Sequence, residues 1–142
     1  MILIKKACSE KEVQQCLAIR LNVFVEGQAV PLHEEVDGKD KTSDHYLLLY
    51  HDSPAGVARV RYLDNYAKIE RVAIVADYQG QGLGREIMQF ILADLRKHST
   101  IKTVKLGSQT HAIPFYEKLG FIVCSEEYQD AGIPHKDMQL FL

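Results

Sequence analysis

The chain has 142 residues, 46% hydrophobic and 25% charged, with a formal net charge of -2. This suits one domain that buries a core without disulfides or metal, and it offers no whole-molecule field for nucleic acid. The three cysteines, Cys8, Cys16 and Cys124, form no C-x-x-C pair; they read as core thiols in a reducing, cytoplasmic setting, with no disulfide framework and no structural zinc. The opening run Met1-Ile2-Leu3-Ile4 is too short for a signal peptide, and no run approaches the roughly 20 apolar residues of a membrane span.

In chain order, residues 2–7 predict a strand. Ser9 with Glu12 three residues on makes a capping box, and Val13, Leu17, Leu21 and Phe24 follow at helical spacing, so a helix is expected over 10–26. Residues 27–43 break the pattern: Gly27, Pro31 and Gly38 punctuate an acidic stretch containing Glu34, Glu35, Asp37 and Asp40. It predicts a long loop, and an acidic run of this kind is more often a solvated surface than a substrate clamp. Strands are expected at 45–50, 56–63 and 67–75, with turns at 52–54 and 64–65. Leu83, Ile87, Met88, Ile91, Leu92 and Leu95 form a helical stripe. A strand at 101–106, a short helix at 112–119 ending at Gly120, and strands at 121–124 and 135–141 complete the chain. The order implies one α/β (α+β) domain over 1–142, a mixed sheet flanked by helices.

The strongest local signal is Gln79-Gly80-Gln81-Gly82-Leu83-Gly84-Arg85, between a strand and an amphipathic helix. Glycines allow unusual dihedrals and close ligand approach, and a helix start offers unpaired N–H groups at the positive end of its dipole. The combination suits a phosphate or diphosphate. The spacing is neither G-x-G-x-x-G nor a P-loop, whose lysine and hydroxyl are missing; a plain glycine-rich turn is the bland alternative. His33-Glu34-Glu35-Val36-Asp37 is not H-E-x-x-H, and no metal site is expected.

With these residues in view, the chain resembles the GCN5-related N-acetyltransferase (GNAT) superfamily. Gln79-x-x-Gly82-x-Gly84 is similar to that family's [Q/R]-x-x-G-x-[G/A] loop, and Ala112-Ile113-Pro114-Phe115-Tyr116-Glu117-Lys118-Leu119-Gly120-Phe121 to its A-x-x-F-Y-x-x-x-G-F segment. The two are in the family's order, and the element order agrees over nearly the whole chain. Val23-Phe24-Val25-Glu26, residues 31–37 and residues 130–135 resemble a bacterial subgroup of uncharacterised GNAT proteins.

The resemblance implies a mostly antiparallel GNAT-like sheet and direct acetyl transfer from acetyl-CoA to a primary amine. The pantetheine arm is then expected along Val72, Ala73 and Ile74, whose backbone N–H groups also polarise the thioester carbonyl. The diphosphate falls to the backbone of Gln79, Gly80, Gln81, Gly82, Leu83, Gly84 and Arg85. Tyr116 matches the family tyrosine that protonates the departing thiolate; packing beside Phe115 and Phe121 is its alternative reading. The base stays open. The family's glutamate position is Lys68 here, and Glu70, Glu34, Glu35, His45, His111, His135 or a water chain are the candidates, with Glu34, Glu35, His45 and His135 also candidates for acceptor contact. Partners are acetyl-CoA and an amine; family members are often dimers, which makes a homodimer one expectation. Nucleic acid and membrane are not expected. The competing class is a non-catalytic acyl-CoA sensor.

Overall fold

Helix formation starts where Ser9 caps it. In the computed structural model, which describes residues 1–142, the Ser9 hydroxyl accepts from the Glu12 N–H at 3.2 Å. Glu12 reaches back to the Cys8 N–H at 2.9 Å, one residue before the usual capping-box donor. Strand β1 (Ile2–Lys6) precedes this cap and α1 (Glu10–Arg20) follows it. The helix expected through residue 26 changes at Leu21–Glu26 into a π-helical turn. One wide turn keeps the apolar spacing, so periodicity hides it.

Besides three short 3-10 turns, the remaining elements are α2 (Leu32–Glu35), β2 (Asp44–Tyr50), β3 (Ser53–Leu63), β4 (Tyr66–Ile74), α3 (Leu83–Leu95), β5 (Thr103–Gln109), α4 (Ile113–Glu117), β6 (Ile122–Val123), β7 (Tyr128–Asp130) and β8 (Ile133–Phe141). The sheet runs β1-β2-β3-β4-β5-β8-β6, with β7 pairing β8. Every pairing is antiparallel except β4 with β5. The β2–β3 turn is His51-Asp52, both at positive φ, the two-residue hairpin that matches strand twist. Ser53 and Pro54, expected in the turn, therefore belong to β3. The hairpin β7–β8, unforeseen in the sequence, turns the same way on Ala131-Gly132.

The two sheet faces differ. On one, α3 closes a cluster of 19 buried residues, with Leu83, Ile87, Met88, Ile91 and Leu95 set into Tyr46, Leu48, Val60, Ile69, Val104 and Met138. On the other, α1 closes only Cys16, Ile19, Leu47, Val57 and Ala73. A bulge in β4 switches which side chains reach which face. Val57 pairs with Ala73 but Arg59 with Glu70, so Arg71 and Val72 together oppose one residue, and Arg71 sits at φ 56°. Before the bulge Ala67 and Ile69 point to the α3 side; after it Ala73 points to the α1 side.

The rest of the α1 face is ionic. Fully buried Arg59 binds Asp37, Asp40 and Glu70 at 2.8–3.0 Å. Buried Arg20 binds Glu35 and Asp40, each at 2.7 Å. Arg71 pairs with Glu35 at 2.9 Å, and Arg61 with Glu70 at 2.6 Å. The acidic stretch is thus not simply a solvated surface: Glu35, Asp37 and Asp40 are counter-ions to arginines of α1, β3 and β4, while Glu34 stays exposed and unpaired. The cysteine expectation is corrected too. Cys16 is buried, but Cys8 and Cys124 are exposed. No helix is long and apolar enough to cross a membrane.

The Arg59 hydrogen bonds hold the Asp37 carboxyl well below the usual carboxylate range. Burial pushes Asp40 and Glu70 up, but hydrogen bonds from Arg20 and Arg59, and from Arg61, outweigh it and leave both lowered. Depressed folded pKa values stabilise fully above the unfolded values, near 4, and that contribution is lost as pH falls through the folded ones. Stability should therefore fall steeply below pH about 4. Arg59→Met should cost about 3 kcal/mol, the low end for a broken buried pair because water reaches Asp37 and Asp40. It should also flatten the acid dependence. Urea unfolding of both proteins between pH 3 and 7 checks this; an unchanged midpoint would contradict it.

Candidate active site

β4 and β5 hold together over only three pairs, Tyr66↔Thr103, Ala67↔Val104 and Lys68↔Lys105. Beyond Lys68 the strands part, just before the Arg71 bulge. The gap opens into a cleft of about 280 Å³ that runs through the sheet. Ile69–Val72 form one wall and Leu106–Gln109 the other. The π-helical turn covers it through Phe24, α2 adds Glu34, and the β7–β8 hairpin adds Tyr128, Asp130 and His135. Past Lys68, β4 has no ladder partner on its β5 side, which leaves backbone groups free for a ligand.

At the far end of β4, Gln79 Nε2 donates to the Ile74 carbonyl at 2.9 Å and folds the glycine loop back on the strand. Gly80 and Gly82 sit at φ 82° and 78°, and no atom lies within 4 Å of where a Cβ would stand. Gly82 is the N-cap of α3 without any side-chain cap bond. The first-turn N–H groups of this 13-residue helix therefore face open space uncapped, the arrangement that binds an anion. Gln81 and Arg85 are exposed beside them, whereas the Leu83 side chain enters the core. Gly84 lets α3 approach Phe115, whose ring would stand 3.4 Å from a Cβ.

Tyr116, on α4, stands edge-on to Phe115 and Phe121 at centroid distances of 5.0 and 6.0 Å. It packs against the larger core cluster, so it reaches the cleft from the α3 side. Burial alone pushes its phenol up to about 12, so the hydroxyl keeps its proton at neutral pH.

The α1 side of the cleft is polar. Gln109, His135 and Tyr128 are register partners across β5, β8 and β7, so their side chains share one face. Gln109 Nε2 donates to Gln28 Oε1 at 2.8 Å, tying β5 to the segment after the π-helical turn. The Tyr128 ring stacks on His135 at 5.9 Å, and its hydroxyl donates to Asp137 Oδ1 at 2.6 Å.

The structure brings Glu34, Glu35, Glu70, His111, Tyr116 and His135 together at one cleft. Their states differ. Glu35 is buried between Arg20 and Arg71, and Glu70 is held by Arg59 and Arg61. Glu34 and His111 are exposed at the rim. His45 lies outside the cleft, buried with its Nε2 donating to the Asp40 carbonyl at 2.9 Å. Sequence reasoning missed Tyr128, Ser108, Gln109 and Gln28; only the Ala131-Gly132 turn signal pointed at the hairpin that carries Tyr128.

The glycines make separable predictions. Gly84→Ala meets only ordinary contacts of 3.4–4.0 Å and should leave anion affinity within about threefold, since it removes no loop N–H. Gly82→Glu places a carboxylate at the uncapped helix start and should weaken diphosphate binding at least tenfold, about 1.4 kcal/mol. Calorimetric titration with coenzyme A checks both; equal affinities would contradict the loop's role.

Comparison with known proteins bears on the family and the fold. The profile of the acetyltransferase (GNAT) domain matches residues 4–142. The chain is 36% identical over 133 residues to the uncharacterized N-acetyltransferase YjcF of Bacillus subtilis (strain 168), covering 93% of this chain and 94% of that protein. It is 33% identical over 135 residues to protein ElaA of Escherichia coli (strain K12), covering 92% and 88%. The ElaA crystal structure superposes with a TM-score of 0.89 over 99% of both chains. A GNAT family acetyltransferase from Elizabethkingia anophelis with acetyl-CoA bound, 17% identical, shares the fold at a TM-score of 0.79 over 99% of this chain and 98% of that one. The chain belongs to the GNAT acetyltransferase family.

Proposed function

We propose that this acetyltransferase moves an acetyl group from acetyl-CoA directly to a primary amine of a small, cationic acceptor. The observation that carries the reading is the parted β4–β5 pair, with an uncapped helix start at one end and a protonated phenol, Tyr116, in its wall. Acetyl-CoA, which a fold relative binds, fits what is present: open space over Gly80 and Gly82 for the diphosphate, and a free strand edge for the pantetheine arm.

In this reading the N–H groups from Gly80 to Arg85 bind the diphosphate, and the exposed Arg85 adds charge. Backbone donors at Val72, Ala73 and Ile74 hold the arm and polarise the thioester carbonyl, strengthening as the oxyanion forms. Tyr116 protonates the thiolate as the C–S bond breaks; its buried phenol, pushed up to about 12, is a weaker acid than a free thiol at roughly 8.5, so the transfer runs uphill and its usefulness rests on positioning beside the departing sulfur. Glu70 is given a structural role, because its lowered carboxyl pKa and its two arginine partners make it a weak proton acceptor. For the acceptor, Glu34 and Asp130 line the cleft and enter none of the ion pairs. Two free carboxylates on facing walls suit an amine that carries further positive charge.

Tyr116→Phe tests the reading. Turnover, measured as thiol release from acetyl-CoA with a panel of di- and polyamines, should drop about 100-fold or more, with acetyl-CoA affinity unchanged by calorimetry. Unchanged turnover would remove Tyr116 from the chemistry. Binding without turnover by the wild type on any amine would favour a sensor instead.

A further inference from the structure

We propose that His135 is the catalytic base, taking the proton of the acceptor ammonium on the opposite side of the β4–β5 gap from Tyr116. This rests on the amine-transfer reading above and names the residue that it leaves open.

The tautomer comes from the hydrogen bond. His135 Nδ1 lies 2.7 Å from the Ile133 carbonyl oxygen. A carbonyl only accepts, so Nδ1 carries the hydrogen and Nε2 of the neutral ring carries a free lone pair. That nitrogen has no protein partner and is not sealed off, unlike His45 Nδ1, which is both buried and unpaired. His135 itself lines the cleft. A cleft-lining histidine whose one nitrogen is tied to its own strand while the other is left accessible and unpaired is set up as a proton acceptor.

The ring is also held in place. Tyr128 stacks on it at an interplanar angle of 23° and is itself anchored to Asp137 at 2.6 Å. This arrangement needs a glycine beneath it: a Cβ on Gly107 would stand 2.6 Å from the Tyr128 hydroxyl. No other candidate combines cleft exposure with a free, fixed acceptor. Glu35 and Glu70 are consumed by arginines, His45 is outside the cleft, and Glu34, His111 and Asp130 are exposed at the rim.

The placement separates the two proton transfers. Tyr116 approaches from the α3 face and His135 from the α1 face, with the gap between them. His135 Nε2 takes one proton from the acceptor ammonium, and the neutral nitrogen forms a bond to the thioester carbon. The C–S bond then breaks, its electron pair leaves on sulfur, and Tyr116 protonates that sulfur. The second nitrogen proton returns to the phenolate through water, and His135 releases its own to solvent. The net products are the amide, the free thiol and one proton.

The experiment uses spermidine and acetyl-CoA as probes. His135→Ala should lose at least 100-fold in kcat/KM while binding acetyl-CoA with wild-type affinity, and added imidazole should restore several-fold of the lost rate. His135→Gln, which keeps a hydrogen-bonding side chain, should be as inactive but unresponsive to imidazole. A His135→Ala protein as active as the wild type would overturn the proposal. So would loss without imidazole rescue in a folded, cofactor-binding variant. Nitrogen NMR of the histidine rings in the wild type needs no acceptor: a protonated Nδ1 and free Nε2 on His135 are expected, and the Nε2–H tautomer overturns the proposal outright. Failure of the wild type to bind acetyl-CoA would instead strike the transfer reading, leaving the tautomer result to stand on its own.

Discussion

Everything about the site follows from the parting of β4 and β5 after three paired residues. The two strands are parallel, so the chain between them must cross over, and α3 makes that crossing on one face of the sheet. A crossover from the end of β4 necessarily sets the helix N-terminus at the carboxyl end of that strand, where open α/β sheets bind ligands. One topological requirement thus delivers both halves of the site proposed for acetyl-CoA: a free strand edge and an uncapped helix start. The bulge at Arg71 lets Glu70 and Ala73, three residues apart, both face the α1 side without ending the strand. It concentrates strained backbone next to the cleft, as functional sites often do.

The polar side of the cleft explains the unequal faces. A face that must stay open and wet beside β4 cannot be covered by a full apolar layer, and only five residues are buried there in a cluster, against 19 on the other side. The segment from Leu32 to Thr42 is fixed instead by charge, with Glu35, Asp37 and Asp40 gripping Arg20, Arg59 and Arg71. Buried ion pairs of this kind break roughly even in stability against apolar packing; their gain is geometry. Here the geometry is that of a cleft wall, since α2 lines the site through Glu34 and Glu35.

How much of this was legible in the sequence depends on the range of the causes. The glycine loop was legible because its constraint is local: Gly80 and Gly82 need positive φ, and the helix after them announces itself by its apolar stripe. Tyr116 was legible only as part of the Phe115-Tyr116 segment of a known family pattern. The arginine network was not, because the partners of Arg20 and Arg59 in the acidic stretch lie 15 to 22 residues away in the chain and only the fold brings them together. The direction of Glu70 was undecidable because strand alternation resets at the bulge. Tyr128 lay in a three-residue polar strand, too short for any period to show.

The central claim is that the thioester arm occupies the free edge of β4 while the loop holds the diphosphate. Amide hydrogen exchange followed by NMR, with and without acetyl-CoA, tests it most directly. The account predicts slowed exchange at Val72, Ala73 and Ile74 together with Gly80 to Arg85, and little change along α1. Protection confined to other surfaces, or none at a saturating concentration of acetyl-CoA, would contradict it.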